Sequence, residues 1–165
     1  MVRLVKILTR SAAETSALGE SLGRLLCPGD VVAMTGTLGT GKSVLARGMM
    51  AGLGVTSRMP SPSFVLVATY EGTVTVHHID LYRLERPEEA LAIGIEDLLY
   101  SQDICLIEWA ERASGVLPPE RLDVTLEARP RPEERLITLS PRGAGLAERL
   151  LPLVRDWGAP GQAGQ

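Results

Sequence analysis

The stretch Val31-Val32-Ala33-Met34-Thr35-Gly36-Thr37-Leu38-Gly39-Thr40-Gly41-Lys42-Ser43 decides how this chain is read. It opens on a short apolar run, Val31 to Thr35, consistent with a buried strand. Gly36 to Ser43 then satisfies G-x-x-x-x-G-K-[ST] in full. Helical residues follow from Lys42 to about Ala51, ended by Gly52 and Gly54. Strand, glycine-rich loop and helix in this order make a phosphate cradle. The glycines let the backbone turn and approach a ligand closely. The loop amides point inward as an anion nest, and the helix N-terminus adds about half a positive charge on the same spot. Lys42 reaches the β- and γ-phosphates as a point charge, and the Ser43 hydroxyl can bind Mg2+. Gly36, Thr37, Leu38, Gly39, Thr40, Gly41, Lys42 and Ser43 are therefore the expected nucleotide-binding residues.

Upstream, Val2 to Leu8 reads as a strand. Ser11 and Glu14 form an S-x-x-E capping box that starts a helix near Ala12. Leu18, Leu22 and Leu25 or Leu26 stripe that helix, and Cys27-Pro28-Gly29-Asp30 stops it. Downstream, Met59-Pro60-Ser61-Pro62 is a loop, because two prolines bar regular helix. Phe64 to Tyr70 and Thr73 to Asp80 flank a hairpin turn at Glu71-Gly72. Pro87-Glu88-Glu89 reads as a helix start. Ile104 to Glu108 is another buried strand. Leu122 to Leu126 can pair with Arg135 to Leu139, and Gly145 to Trp157 reads as one amphipathic helix. Strands and helices alternate around the centre of the chain. The fold expected is α/β, a P-loop NTPase fold with a mainly parallel central sheet, flanking antiparallel strands and helices on both faces. Residues 1–157 form one domain, with a frayed tail over 158–165.

Composition agrees with that reading. The chain has 165 residues, 45% apolar and 22% charged, the balance of a soluble globular domain. No unbroken apolar run has the length of about 20 residues that a membrane span needs. Arg3, Lys6 and Arg10 break up the N-terminal apolar residues, so no secretory leader is expected. The cysteines Cys27 and Cys105 lie far apart and read as buried or half-buried residues of a reducing cytoplasm. The net charge of -3 argues against a general nucleic-acid glove. Lysine is almost excluded, and one of the only two, Lys42, sits in the glycine-rich loop.

Phosphoryl transfer also needs a carboxylate on the magnesium side and a group that orients water. Asp80 and Glu108 both follow apolar strands directly, and strand ends on the loop's side of a parallel sheet converge on the ligand crevice. Either acid could instead be a turn or cap residue. Ser61 and Ser63, on a proline-held loop ending at Phe64, could sense the γ-phosphate as a switch does, or form an ordinary surface loop. His77 and His78 point to opposite sides of a strand, one packed and one exposed, without the partners a metal site needs. Trp109 reads as a stacking residue or as core. Arg129, Arg131, Arg135 and Arg142 read as a solvated turn or as a contact for phosphate, RNA or an acidic partner.

Several segments, taken together, resemble the bacterial tRNA threonylcarbamoyladenosine biosynthesis ATPase family TsaE (YjeE). They are Glu14-Thr15-Ser16-Ala17-Leu18-Gly19, the glycine-rich loop, Ser61 to Phe64, His78-Ile79-Asp80-Leu81-Tyr82-Arg83 and Ile107-Glu108-Trp109. The resemblance implies an ATPase needed for threonylcarbamoyladenosine at position 37 of tRNAs reading ANN codons. It implies work with a TsaB–TsaD pair that carries out the transfer, with tRNA met only through that complex. It also implies Glu108 as a magnesium-linked acid, Asp80 as a Walker-B-like aspartate and Thr15 near the nucleotide. The expected catalytic set is thus Lys42, Asp80 and Glu108, with Ser43 and Glu108 on Mg2+ and ATP as substrate. Hydrolysis is expected to be slow alone and faster with partners. The competing expectation is a small-molecule kinase, for which the chain has little spare length to build an acceptor pocket and lid. The family's loop often has threonine where this chain has Ser63.

Overall fold

The computed structural model of the protein describes residues 4–55, 57–58 and 66–158. Among them a single eight-stranded sheet runs in the order β1-β8-β7-β2-β6-β5-β4-β3. The strands are β1 (Val5–Thr9), β2 (Val31–Thr35), β3 (Ser57–Arg58), β4 (Val67–Glu71), β5 (Val76–Asp80), β6 (Ile104–Glu108), β7 (Arg121–Ala128) and β8 (Arg135–Arg142). The central pairs β7–β2, β2–β6 and β6–β5 are parallel. The marginal pairs β1–β8, β8–β7, β5–β4 and β4–β3 are antiparallel. Both hairpins read from the sequence are present, and the sheet core is parallel as expected.

Alternation along β2 explains why both faces carry helices. Val32 and Met34 join the cluster formed with Leu18, Leu22, Leu45 and Met49. Val31 and Ala33 face the opposite way, into the cluster with Ala90, Ile95 and Leu99. The first face is covered by α1 (Ala12–Gly23) and α2 (Lys42–Gly52), and by α5 (Ala144–Arg149) and α6 (Leu151–Trp157). The second is covered by α3 (Pro87–Ala92), α4 (Ile95–Leu99) and the 3-10 turn Ala110–Ala113. Each Leu or Met buried in this way contributes about 1.5–3 kcal/mol before the entropic cost of ordering it.

The helices α1 and α2 approach each other on glycines. A Cβ placed on Gly23 would stand 2.2 Å from the Met49 carbonyl oxygen, and one on Gly48 would stand 2.4 Å from that of Ser16. Gly19 and Gly52 meet the partner helix's backbone in the same way, at 2.5 Å and 2.2 Å. Backbone thus lies on backbone over the whole contact, and α1 is held tightly against the helix that follows the phosphate loop.

Three local expectations are corrected. Ser11 does cap α1 by accepting from the Glu14 N–H, but the Glu14 carboxylate takes the Arg10 N–H at 2.7 Å. The carboxylate therefore reaches one residue further back than a capping box requires. The single C-terminal helix is two, joined at Leu150. Pro152 has no N–H to give the Glu148 carbonyl, and its ring clashes with that carbonyl, so the helix stops and restarts. Cys105 is buried, but Cys27 is exposed, at the turn where α1 ends.

The parallel strands bring three chain positions to one edge. Register places Met34 beside Glu108, and Glu108 beside Asp80. The loop after β2 therefore opens over both acids, which is the crevice geometry expected at the carboxyl ends of parallel strands.

Candidate functional site

Gly36 begins the loop at φ 151°, where a side chain would collide with the Leu126 carbonyl oxygen at 2.6 Å and the Thr40 hydroxyl at 2.8 Å. Gly41 ends it at φ 96°, in the left-handed region, and forms the N-cap of α2 with no side-chain hydrogen bond. The first-turn N–H groups of α2 consequently have no side chain to satisfy them, the condition in which a helix start receives an anion. Thr40 is buried and donates to the Thr37 carbonyl at 2.8 Å, tightening the loop from within. Leu38 stands out at its tip, 74% exposed.

Lys42 is buried beneath the loop. Its Nζ donates to the carbonyls of Gly36 at 2.6 Å and Thr37 at 2.9 Å, and lies 4.1 Å from the centre of the Trp109 ring. Burial pulls the ammonium below the usual lysine value, against the opposing charges of Glu108, Glu111 and Asp80. The Ser43 hydroxyl donates to Glu108 Oε1 at 2.8 Å. Glu108 Oε2 meets His78 Nε2 at 2.5 Å. Burial pushes the Glu108 carboxyl upward, but the bonds from His78 and Ser43 and the charge of Lys42 outweigh it. The group is held below the ordinary glutamate value, as the carboxylate.

Asp80, exposed at the end of β5, accepts the Tyr82 N–H on Oδ1 at 3.0 Å. The turn reading of this residue is thus borne out. The bond fixes the carboxylate at the mouth of the crevice that Lys42, Ser43, Glu108 and Trp109 line. Trp109 has φ 59°, the only positive value among the described non-glycine residues. It stacks tilted against Tyr82, ring centres 5.0 Å apart, while the Arg112 guanidinium lies 5.4 Å from its centre. A left-handed backbone costs a tryptophan about 1–2 kcal/mol, and here it turns the ring over the lysine.

The structure therefore gathers Leu38 to Ser43, Asp80 and Glu108 around one crevice, with Gly36 and Thr37 as acceptors for its lysine. Thr15 lies elsewhere. It is buried, shares a 2.7 Å hydroxyl–hydroxyl bond with Thr9, and lines a second cleft with Ala12, Gly41, Val44 and Arg135 on the loop's other flank. Ser61 and Ser63 lie outside the described residues. Two contributors are not found by motif reading. His78 was expected to be either packed or exposed and instead holds the site's glutamate. Arg135 donates from Nε to the Thr40 carbonyl and from Nη2 to the Gly39 carbonyl, both at 3.2 Å. It grips the loop's backbone from outside and does not form a free basic patch. Alternation along β5 and the charge cluster at the hairpin point at these residues, but neither names the partner.

The donor set suits a hard cation. Among the described residues no three His, Cys, Asp or Glu side chains form a metal-holding group. The Ser43 hydroxyl and Glu108 carboxylate, 2.8 Å apart, are oxygen donors of the kind magnesium takes alongside phosphates and water.

Comparison with known proteins gives concordant results. The family model for threonylcarbamoyl adenosine biosynthesis protein TsaE matches residues 9–137. The tRNA threonylcarbamoyladenosine biosynthesis protein TsaE of Treponema pallidum is 38% identical over 122 residues, which is 74% of this chain and 90% of that one. The Bacillus subtilis protein of the same name is 34% identical over 143 residues, 86% of this chain and 89% of that one. The crystal structure of Bacillus subtilis YdiB superposes with a TM-score of 0.78 at 30% identity, covering 94% of this chain and 97% of that one. Among the described residues no helix is long and apolar enough to cross a membrane.

Proposed function

This chain belongs to the family of threonylcarbamoyl adenosine biosynthesis proteins TsaE, and from that we propose that it hydrolyses ATP in the crevice between its glycine-rich loop and Glu108. The observation that carries the reading is the Ser43–Glu108 hydrogen bond. It joins the last residue of the loop motif to a strand-end acid 65 positions away, directly beside the buried lysine.

In this reading the loop amides and Lys42 hold the phosphates. Lys42 leaves the Gly36 and Thr37 carbonyls to do so, and burial has already removed part of its competing hydration. Ser43 and Glu108 hold magnesium, which when bound neutralises charge on the transferred phosphoryl group. Asp80 orients the attacking water, and the bond cleaved is that between the γ-phosphorus and the bridging oxygen, giving ADP and phosphate. The base and ribose occupy the cleft beside Thr15. Ser61 and Ser63 report the γ-phosphate. One domain, residues 1–157, carries these functions in the cytoplasm.

The hydrolysis serves threonylcarbamoyladenosine formation at position 37 of tRNAs reading ANN codons, with a TsaB–TsaD pair performing the transfer. Among the described residues the crevice lining contains no arginine. A missing transition-state cation is worth about 10³ to 10⁵ in rate, so the chain alone is slow and its partners accelerate it. Phosphate release measured with the purified chain, with and without TsaB–TsaD and tRNA, tests this. Stimulation is the expected result. Equal rates oppose the proposal, and a phosphorylated acceptor in place of free phosphate would make the protein a kinase.

A further inference from the structure

We propose that His78 is a positioning residue, whose ring sets the rotamer in which Glu108 presents one oxygen to Ser43 and to the metal. The inference rests on the reading of the site given above. Residues 76, 78 and 80 share one face of β5, and His78 stands opposite Leu106 in register, one same-face step behind the Asp80–Glu108 pair. The rest of that face is apolar: Val76, Ile104 and Leu106 all belong to the cluster beneath α2. A ring nitrogen there needs a partner, and it takes Glu108 Oε2.

Glu108 is consequently held at both oxygens. His78 takes Oε2 and Ser43 takes Oε1, in a side chain only 4% exposed. Without the ring, Oε2 would lose its bond in a place that solvent barely reaches. The carboxylate would then turn toward the nearest remaining donors, Ser43 and Lys42, and the oxygen offered to the metal would move. The neighbouring His77 supplies an internal contrast. It is buried where His78 is half-buried, and its nitrogens meet Thr69 at 2.9 Å and Asp103 at 2.8 Å, neither of them in the crevice. Two adjacent histidines thus have separate tasks, one tying strands together and one setting a ligand.

Partners that orient metal ligands typically change metal affinity 10–100-fold when removed. The test is calorimetric ATP binding to the full chain, in magnesium and in EDTA, for wild type and for His78→Ala, His78→Phe, His78→Gln and His77→Ala. The quantity read is the gain in affinity that magnesium brings. It should fall about tenfold or more in His78→Ala, while binding in EDTA stays within about twofold. His78→Phe keeps the ring volume and takes the place of alanine if the smaller variant does not fold. His78→Gln can return a donor to Oε2 and should restore most of the gain. His77→Ala should leave the gain intact and lower only the thermal midpoint. A wild-type gain that His78→Ala and His78→Phe both preserve, or a glutamine variant as poor as phenylalanine, overturns this inference alone. A wild-type chain that binds ATP no better with magnesium overturns the reading of the site, and this inference with it.

Discussion

The two flanks of the glycine-rich loop are held by different kinds of contact. On the outer flank, Arg135 binds the carbonyls of Gly39 and Thr40, and its Nη1 binds those of Pro132 at 2.7 Å and Glu134 at 2.8 Å. Behind it, α1 and α2 meet through glycine backbones. On the inner flank, functional groups hold one another: Ser43 and His78 hold Glu108, and Lys42 lies over Trp109. A ligand cannot replace the outer contacts without moving the chain. It can replace the inner ones by rotating side chains, because the hydroxyl, ammonium and carboxylate that hold one another are the groups proposed to hold phosphate and magnesium. The outer flank sets shape and the inner flank sets chemistry.

The largest test of that division is Glu108→Ala. Turnover should fall about 10²–10⁴-fold, the scale of losing a positioned catalytic group, while ATP binding in EDTA changes little. Phosphate release and calorimetry on one preparation check both, and equal losses in the two assays would erase the distinction between flanks. Lys42→Ala should weaken ATP binding about 100-fold, from charge-assisted bonds worth about 1.5–3 kcal/mol each, with far-UV circular dichroism unchanged. On the other flank, Gly48→Ala should behave in the opposite way. Forcing a methyl group into that contact costs about 1–3 kcal/mol, at about 2–4 °C of midpoint per kcal/mol. A scanning calorimeter should therefore record a clear drop, and an unchanged midpoint would mean the helices can separate freely. Arg135→Ala removes two long guanidinium bonds, both 3.2 Å, from loop carbonyls that water can then reach. It should loosen ATP binding roughly tenfold at most, and leave the affinity gain from magnesium intact.

The smallest expected effect concerns Cys105 in β6, beneath the inner flank. Burial, with the charge of Asp103, pushes its thiol up from 9.0 to about 12. At pH 8 it stays protonated and closed to alkylation, while exposed Cys27 reacts. Saturating ATP should leave that contrast unchanged, since the inner rearrangement is confined to side chains. Mass spectrometry after iodoacetamide treatment reads it, and ATP-induced labelling of Cys105 would show that the strand itself moves. A raised thiol value withholds stability only above 9.0, so stability should fall as pH climbs from 9.0 toward 12, and less steeply in Cys105→Ala.

How much of this was legible depended on sequence distance. The cradle was readable because its strand, glycines, lysine and hydroxyl are contiguous, and each residue type has one purpose there. Asp80 and Glu108 were readable as strand-end acids, since a parallel sheet brings such ends together whatever the strand order. The hairpins were readable from their turns. His78 was not, because alternation sends adjacent histidines to opposite faces without saying which face holds the glutamate; only the β5–β6 register decides that. Arg135 was not, because its acceptors are backbone carbonyls 95 and 96 positions away, which no side-chain pattern marks. Reading Gly145 to Trp157 as one helix passed over Pro152, whose missing N–H divides it. Ser61 and Ser63 fall outside the described residues.

The anchoring of α5 has a consequence of its own. Arg149 binds both carboxylate oxygens of Asp30, at 2.7 Å and 2.9 Å, and the Leu25 carbonyl at 3.0 Å. Asp30 immediately precedes β2, so this tether grips the parallel strands at the end remote from the glycine-rich loop. The terminal helical pair is therefore a handle. A fluorophore or affinity label attached past Trp157 should report on the molecule without disturbing the crevice at the glycine-rich loop, and changes to this segment should tune longevity independently of any turnover there.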